Sequence, residues 1–215
     1  MEWLFIIGTF MSLMAVLDPL AAVPTFIAVC PHERKASLRL ALISAVTVFV
    51  TMVLFAMLGK TLLAAFAITL PAFRAAGGVL ILLMGVEMLH GSVSRVKQTP
   101  REAEELDSFQ AVGIVPLAIP LMAGPGAMTT IMLLSQNATD WSHRVALYLI
   151  IAVCSCIVFA VLCFAAQLQA RLGFTGINIL NRIMGLVLAA VGMQFIGDGL
   201  RELLPGLAGP LMSQP

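Results

Sequence analysis

The ten residues Gly78 to Glu87 (GVLILLMGVE) have a near copy later in the chain, Gly185 to Gln194 (GLVLAAVGMQ). Each copy holds a glycine, six residues, a second glycine, one further residue and then a long polar side chain. The second glycines are Gly85 and Gly192. Glycines at this spacing let two helices approach closely, which is one reason for their presence.

A second similarity lies upstream of each copy, where Asp18-Pro19 corresponds to Gly124-Pro125. Pro19 precedes Gly78 by 59 positions, and Pro125 precedes Gly185 by 60. Helix packing explains the glycines, but it does not explain this shared interval. The sequence therefore predicts an internal repeat, with residues 1–90 as the first half, 91–108 as a polar linker and 109–215 as the second half.

The composition predicts that both halves lie in a membrane. Of the 215 residues, 60% are hydrophobic and 11% are charged, which leaves too few polar side chains to cover a soluble domain. A membrane-spanning helix needs roughly 20 apolar residues. Six stretches meet this need, about 3–30, 39–59, 71–90, 109–135, 144–167 and 177–197. The first is longer than a signal peptide and has no basic residue before it, so we expect it to be retained.

Three spans per half is an odd number, so the second half enters the membrane upside down relative to the first. The expected fold is an all-α membrane protein, built from six transmembrane helices as two inverted three-helix repeats. Lys and Arg in the short loops set the orientation. Seven lie on the side of the linker and three on the other, which predicts a cytoplasmic linker and both termini outside the cytoplasm.

The first and fourth spans are the longest, and prolines predict that both helices are broken near the middle of the membrane. The first carries Asp18-Pro19 and then Pro24-Thr25, and the fourth carries Gly124-Pro125-Gly126. Aspartate is a preferred N-cap and proline is favoured at the first helical position. Each break is therefore expected to start a new half-helix, whose N-terminus attracts anions.

These breaks define the predicted substrate site. An acid at membrane depth is a functional candidate by default, although Asp18 is equally expected as a structural cap. In the hypothesis, glycine backbone amides and threonine hydroxyls hold a carboxylate, and Asp18 faces an ammonium group. The predicted substrate-binding residues are Asp18, Pro19, Pro24, Thr25, Gly124, Pro125, Gly126, Thr129 and Thr130.

The repeated stretches supply a second set of residues, with a structural or gating role. An arginine precedes the first glycine of each copy, by four positions for Arg74 and by three for Arg182. Either the arginines snorkel to the interface, or each binds carbonyl groups freed at a break. The polar residues that end the copies are read as interfacial anchors or gating residues. The full set is Arg74, Arg182, Gly78, Gly85, Gly185, Gly192, Glu87 and Gln194.

The sequence lacks the motifs of an enzyme, a metal site or an ATP-driven pump, and it predicts neither a cofactor nor a bound metal. A formal net charge of +1 gives no case for nucleic acid. The expected partners are the lipid bilayer, a small-molecule solute and H+ or Na+ as a coupling ion. The sequence is also compatible with a homo-oligomer.

Three motifs resemble the MarC family of inner-membrane proteins. They are Asp18 to Phe26 (DPLAAVPTF), Val115 to Gly126 (VPLAIPLMAGPG) and Asn181 to Gly185 (NRIMG), and Pro71 to Gly78 matches too. The resemblance covers essentially the whole chain. It implies a six-spanning protein of the bacterial inner membrane, related to the lysine exporters, with both termini periplasmic in the orientation above. Many relatives have glycine where Ala21 stands, so the first break is expected to be less open here.

The repeat, the breaks and the resemblance together favour a secondary transporter or exporter of a small solute, with a neutral amino acid as the candidate substrate. The alternative is a structural or regulatory membrane protein that transports nothing.

Overall fold

A computed structural model describes residues 2–29, 34–90, 122–138 and 140–204, and its regular secondary structure there is helical. The predicted linker 91–108 and the first part of the predicted fourth span lie outside the described residues. The helices are α1 (Glu2–Leu17), α2 (Ala22–Val29), α3 (Arg34–Ala65), α4 (Leu70–Leu89), α5 (Pro125–Asn137), α6 (Trp141–Cys163) and α7 (Ala165–Leu203).

Four described helices are long and apolar enough to cross a membrane, namely α3, α4, α6 and residues 175–203 of α7. They match the predicted second, third, fifth and sixth spans. The predicted first span is divided between α1 and α2, and the described part of the fourth span is α5 and the turn before it. The protein is therefore an integral membrane protein with several spans.

Large apolar side chains remain exposed along the outer faces of the spanning helices. On α3 they include Val46, Val50 and Leu54, and on α6 they include Leu149 and Val153. A soluble protein rarely exposes contiguous apolar surface of this kind, whereas lipid tails accept it. We therefore expect these faces to contact the lipid bilayer.

The long helix α7 changes direction at Gly173, which has φ 66° and ψ 173°. This φ lies in the left-handed region that glycine adopts without a steric penalty. The residues before Gly173 form a separate short segment, and the membrane-crossing part follows it. This bend explains why the spanning stretch begins well after the first residue of α7.

Helices α4 and α7 pack antiparallel through the glycines of the repeated stretches. A β-carbon on Gly78 would lie 2.7 Å from the carbonyl oxygen of Gly192, and one on Gly192 would lie 2.7 Å from the carbonyl oxygen of Gly78. Gly85 and Gly185 form the same reciprocal pair, at 2.6 and 2.9 Å. The backbones touch here because no side chain separates them.

The two glycine pairs are related by the sequence repeat. Gly78 corresponds to Gly185, and Gly192 corresponds to Gly85. Exchanging the two copies therefore turns the first pair into the second. An interface with a two-fold axis has this property, because each contact occurs twice with the partners exchanged.

The short helices that follow the two interruptions each lie on the other half of the chain. Helix α2 packs against α6 and α7, whereas α5 packs against α3 and α4. The core between them is apolar and includes Val16 of α1, Phe26 of α2, Ile81 of α4, Ile131 of α5 and Leu188 of α7. The interior is thus built from both halves together.

Candidate functional site

The first helix interruption begins at Asp18. Helix α1 ends at Leu17, and its last backbone bond runs from the Asp18 amide to the Met14 carbonyl oxygen at 3.0 Å. Asp18 then has φ 39°, in the left-handed region that aspartate tolerates better than most residues. Pro19 follows and has no amide hydrogen to continue the helix. These two residues end α1 in the protein interior.

The Asp18 side chain closes the turn that precedes the next helix. Its Oδ1 accepts a hydrogen bond from the Ala21 amide at 3.4 Å, and the residue is 1% exposed. The bond resembles that of an N-cap, but the amide belongs to the turn before α2 and not to the helix. The prediction that Pro19 is the first helical residue is wrong, because α2 begins at Ala22. A turn comes first, closed by a bond from the Val23 amide to the Leu20 carbonyl at 3.1 Å.

The second helix start follows the sequence prediction more closely. Gly124 is the N-cap of α5, with φ −69° and ψ −179°, and Pro125 is at the first helical position. The first backbone bond of the helix runs from the Met128 amide to the Gly124 carbonyl at 3.0 Å. The missing amide hydrogen of Pro125 costs nothing here, since the first amides of a helix have no partner within it.

The two threonines of α5 are both engaged with their own helix. Thr129 Oγ1 donates to the Pro125 carbonyl at 2.8 Å, and Thr130 Oγ1 donates to the Gly126 carbonyl at 2.9 Å. The prediction made both hydroxyls donors to a substrate carboxylate. In this conformation their hydrogens are used within α5, and the hydroxyl oxygens remain as acceptors.

The two interruptions lie side by side. A β-carbon on Gly126 would lie 3.5 Å from Cγ1 of Val16, which is two residues before Asp18. It would also lie 2.9 Å from Sδ of Met84 and 3.3 Å from Cγ1 of Ile81, both on α4. The start of α5 therefore packs between the end of α1 and the middle of α4. Sequence reasoning missed these three apolar neighbours, because nothing in their types or spacing indicates such a contact.

Gly77 is a further member of the site that the sequence hypothesis did not include. A β-carbon there would overlap Cγ2 of Thr129 and lie 2.9 Å from its Cβ. The α4 backbone is thus in contact with the first turn of α5. The sequence signal for this contact is the pair Gly77-Gly78. The packing of α4 on α7 uses Gly78, so the second glycine indicates another close contact.

The structure brings together most of the predicted site, but not all of it. Asp18, Pro19, Gly124, Gly126, Thr129 and Thr130 are buried, whereas Pro125, the first residue of α5, is exposed. Pro24 and Thr25 are half-buried on α2, the helix that packs on α6 and α7. The site therefore consists of two helix starts, buried except for Pro125, beside the Asp18 carboxylate.

The family model for MarC integral membrane proteins matches residues 3–204 of the chain. This chain belongs to the MarC family. A UPF0056 membrane protein of Aquifex aeolicus is 35% identical over 199 residues, which cover 92% of this chain and 93% of the relative. The membrane protein YhcE of Escherichia coli is 33% identical with the same coverage. A relative from Pyrococcus horikoshii is 36% identical over 91% of this chain and 96% of its own. No solved structure matches.

The glycines expected to have a structural or gating role form the α4–α7 contact of this MarC-family chain, and the polar residues of that set lie beside it. Arg74 forms an ion pair with Glu202 at the end of α7, with 2.5 Å between Nη1 and Oε1. Its partner is thus a carboxylate, and not a carbonyl freed at a break. Gln194 donates to Asp198 Oδ1 at 3.0 Å within α7. Arg182 is exposed on α7 and Glu87 is half-buried on α4.

Proposed function

We propose that this MarC-family chain is a secondary transporter or exporter of a small solute in the inner membrane. The observation that carries the proposal is the contact between Gly126 and Val16, which sets the two helix interruptions against each other in the interior. Irregular backbone at membrane depth is tolerated where protein buries it or where it lines a cavity. In secondary transporters such segments form the substrate site.

The proposal includes the inverted repeat, with both termini periplasmic. Two observations support it. The reciprocal pairs Gly78–Gly192 and Gly85–Gly185 are exchanged by the sequence repeat, as a two-fold axis between α4 and α7 would require. The half-helices α2 and α5 are related in the same way, because each packs against helices from the other half of the chain. In transporters of this plan, one repeat moves relative to the other around the substrate site.

The proposed substrate is a small zwitterion, such as a neutral amino acid, with H+ or Na+ as the coupling ion. The first amides of α5, from Gly126 onward, have no intrahelical acceptor and point toward the interruption. They suit a carboxylate, and the helix dipole favours the same charge. The Asp18 carboxylate supplies the acceptor for the ammonium group.

The test is transport by purified protein in proteoliposomes. Uptake and efflux of radiolabelled glycine and alanine are measured under imposed H+ and Na+ gradients. The wild-type chain should move at least one of them, and Asp18→Asn should reduce the rate about tenfold or more, since a bond to a charged group is lost. Asp140→Asn is the matched control, because Asp140 is exposed in the loop before α6.

Two results would contradict the proposal. If neither amino acid is bound or moved by either form, the substrate class is wrong. If a broad panel of small solutes gives no flux in either direction, the chain is a structural or regulatory membrane protein.

A further inference from the structure

A second polar site lies at the opposite end of α5. A cavity of about 480 Å³ opens between the end of α3, the end of α5 and the start of α6. Such a volume is typical of small-molecule sites. The polar residues that line this cleft are Lys60, Thr61, Ser135, Gln136, Arg144 and Tyr148.

The cleft is distinct from the helix interruptions. Helix α5 has 13 residues, and its rise places its two ends about 20 Å apart. Between them, α3 and α5 are in close contact. A β-carbon on Gly59 would lie 2.8 Å from Cγ of Met132, which is 5% exposed. This contact lies between the two ends of α5, so packed side chains separate the cleft from the buried site.

The charges of the cleft are of one sign. Lys60 and Arg144 both line it, and its lining residues include no carboxylate. Across the four described segments, neither cation forms an ion pair. The acid before α6, Asp140, is 73% exposed and lies 3.5 Å from His143. Two cations that share one cavity repel each other unless an anion lies between them.

The Arg144 side chain is held in position for a ligand. Its Nε donates to the Ala138 carbonyl at 3.2 Å, which leaves the two terminal nitrogens directed elsewhere. A guanidinium presents them as a fork that matches two oxygens of a phosphate group. Lys60 adds a mobile point charge, and Tyr148 adds a hydroxyl. Ser135 donates to the Met132 carbonyl at 2.8 Å, so it offers no hydrogen.

We propose that the cleft between Lys60 and Arg144 binds a phosphate group. Two cations without acidic partners favour a phosphate group with either one or two negative charges, and the apolar walls formed by Ala56, Met57 and Leu147 accept the uncharged part of a ligand. The group belongs either to a phospholipid headgroup or to a free phosphate compound. In both sources, phosphate oxygens would accept hydrogen bonds from the Arg144 guanidinium. The site is independent of the proposed transport, because none of its residues belongs to the interruptions.

The experiment measures the two sources separately. Protein purified in a non-ionic detergent is titrated with inorganic phosphate by calorimetry. The same preparation is analysed by native mass spectrometry for retained phosphatidylglycerol. The variants are Lys60→Gln, Arg144→Gln and the charge-preserving Lys60→Arg. The matched controls are Lys35→Gln, at the other end of α3, and Arg171→Gln, in the first part of α7.

We expect wild type to bind phosphate, to retain the lipid, or both. Each Gln variant of the cleft should weaken that binding about tenfold or more. Lys60→Arg and both controls should bind as wild type does, which also shows that loss is not due to misfolding. Phosphate binding assigns a free compound, and lipid retention alone assigns a headgroup. The proposal is overturned if wild type shows neither, or if the Gln variants match the controls.

Discussion

Gly78 and Gly192 face each other across the α4–α7 interface, each backbone filling the space where a side chain of the other would stand. A β-carbon on Gly192 would also lie 2.5 Å from the Leu82 amide nitrogen. Backbone atoms of a packed helix cannot move aside as a flexible side chain can. This contact therefore controls how closely the two halves approach.

Gly192→Ala should lower the free energy of unfolding by about 2 kcal/mol, as overpacking of a filled interface does. The measurement is a thermal or denaturant melt in detergent. Gly197→Ala is the control on the same helix, since nothing lies within 4 Å of a β-carbon there. Alanine stabilises a helix by about 1 kcal/mol relative to glycine, so this control should be neutral or stabilising. Equal losses in the two variants would contradict the packing account.

Gly77 and Thr129 should show strong energetic coupling. Gly77→Ala alone should cost about 2 kcal/mol, because its β-carbon overlaps Cγ2 of Thr129. Thr129→Ser removes that methyl group and keeps the hydroxyl that donates to the Pro125 carbonyl. In the serine background, Gly77→Ala should therefore cost about 1 kcal/mol less. The four proteins of the double-mutant cycle are compared by melting, and additive losses would refute the contact.

The backbone of Asp18 makes a prediction that is separate from its carboxylate. At φ 39°, glycine is unstrained, whereas alanine is strained by about 1 kcal/mol or more. Asp18→Gly should thus be more stable than Asp18→Ala, although both lack the carboxylate. Asp198 serves as the control position, because it lies inside α7, where alanine is more stable than glycine by about 1 kcal/mol. There the alanine variant should be more stable than the glycine variant, and the same order at both positions would be evidence against a left-handed Asp18.

The Arg74–Glu202 pair should contribute little to stability in spite of its short distance. Arg74 has 17% of its side chain exposed, but Glu202 has 49%, and an ion pair in contact with water is worth about 1 kcal/mol or less. A cycle of Arg74→Gln and Glu202→Gln should give a coupling of that size. The exchanged variant Arg74→Glu with Glu202→Arg should recover most of it. A coupling of several kcal/mol would show that the pair is shielded from solvent.

The apolar pattern of the sequence predicted the spanning helices well and their ends less well. The third span, 71–90, differs by one residue at each end from α4. The second, 39–59, falls short of α3, which extends from Arg34 to Ala65. Charged residues such as Lys60 were taken as boundaries. A helix continues through them, since their long side chains reach polar surroundings while the backbone stays helical.

The positions of the two interruptions could be predicted because proline and aspartate act locally. Their proximity could not, because it depends on how α1, α4 and α5 pack. The phosphate cleft was missed for the same reason. Lys60 and Arg144 are far apart in the chain, and the sequence placed both among loop charges that only indicate orientation. The folding of α3 against α6 brings them together.

The packing of α2 against α6 and α7 has a consequence for biosynthesis. Residues 1–90 contain α2 but neither α6 nor α7, the helices on which it lies. When the ribosome has made only this portion, the eight-residue helix α2 is already in the membrane. The helices on which it packs, α6 and α7, have not yet been made. Helix α7, which is inserted late, therefore completes the folding of one of the first helices. A nascent chain truncated before α7 would leave that segment open to quality-control proteases.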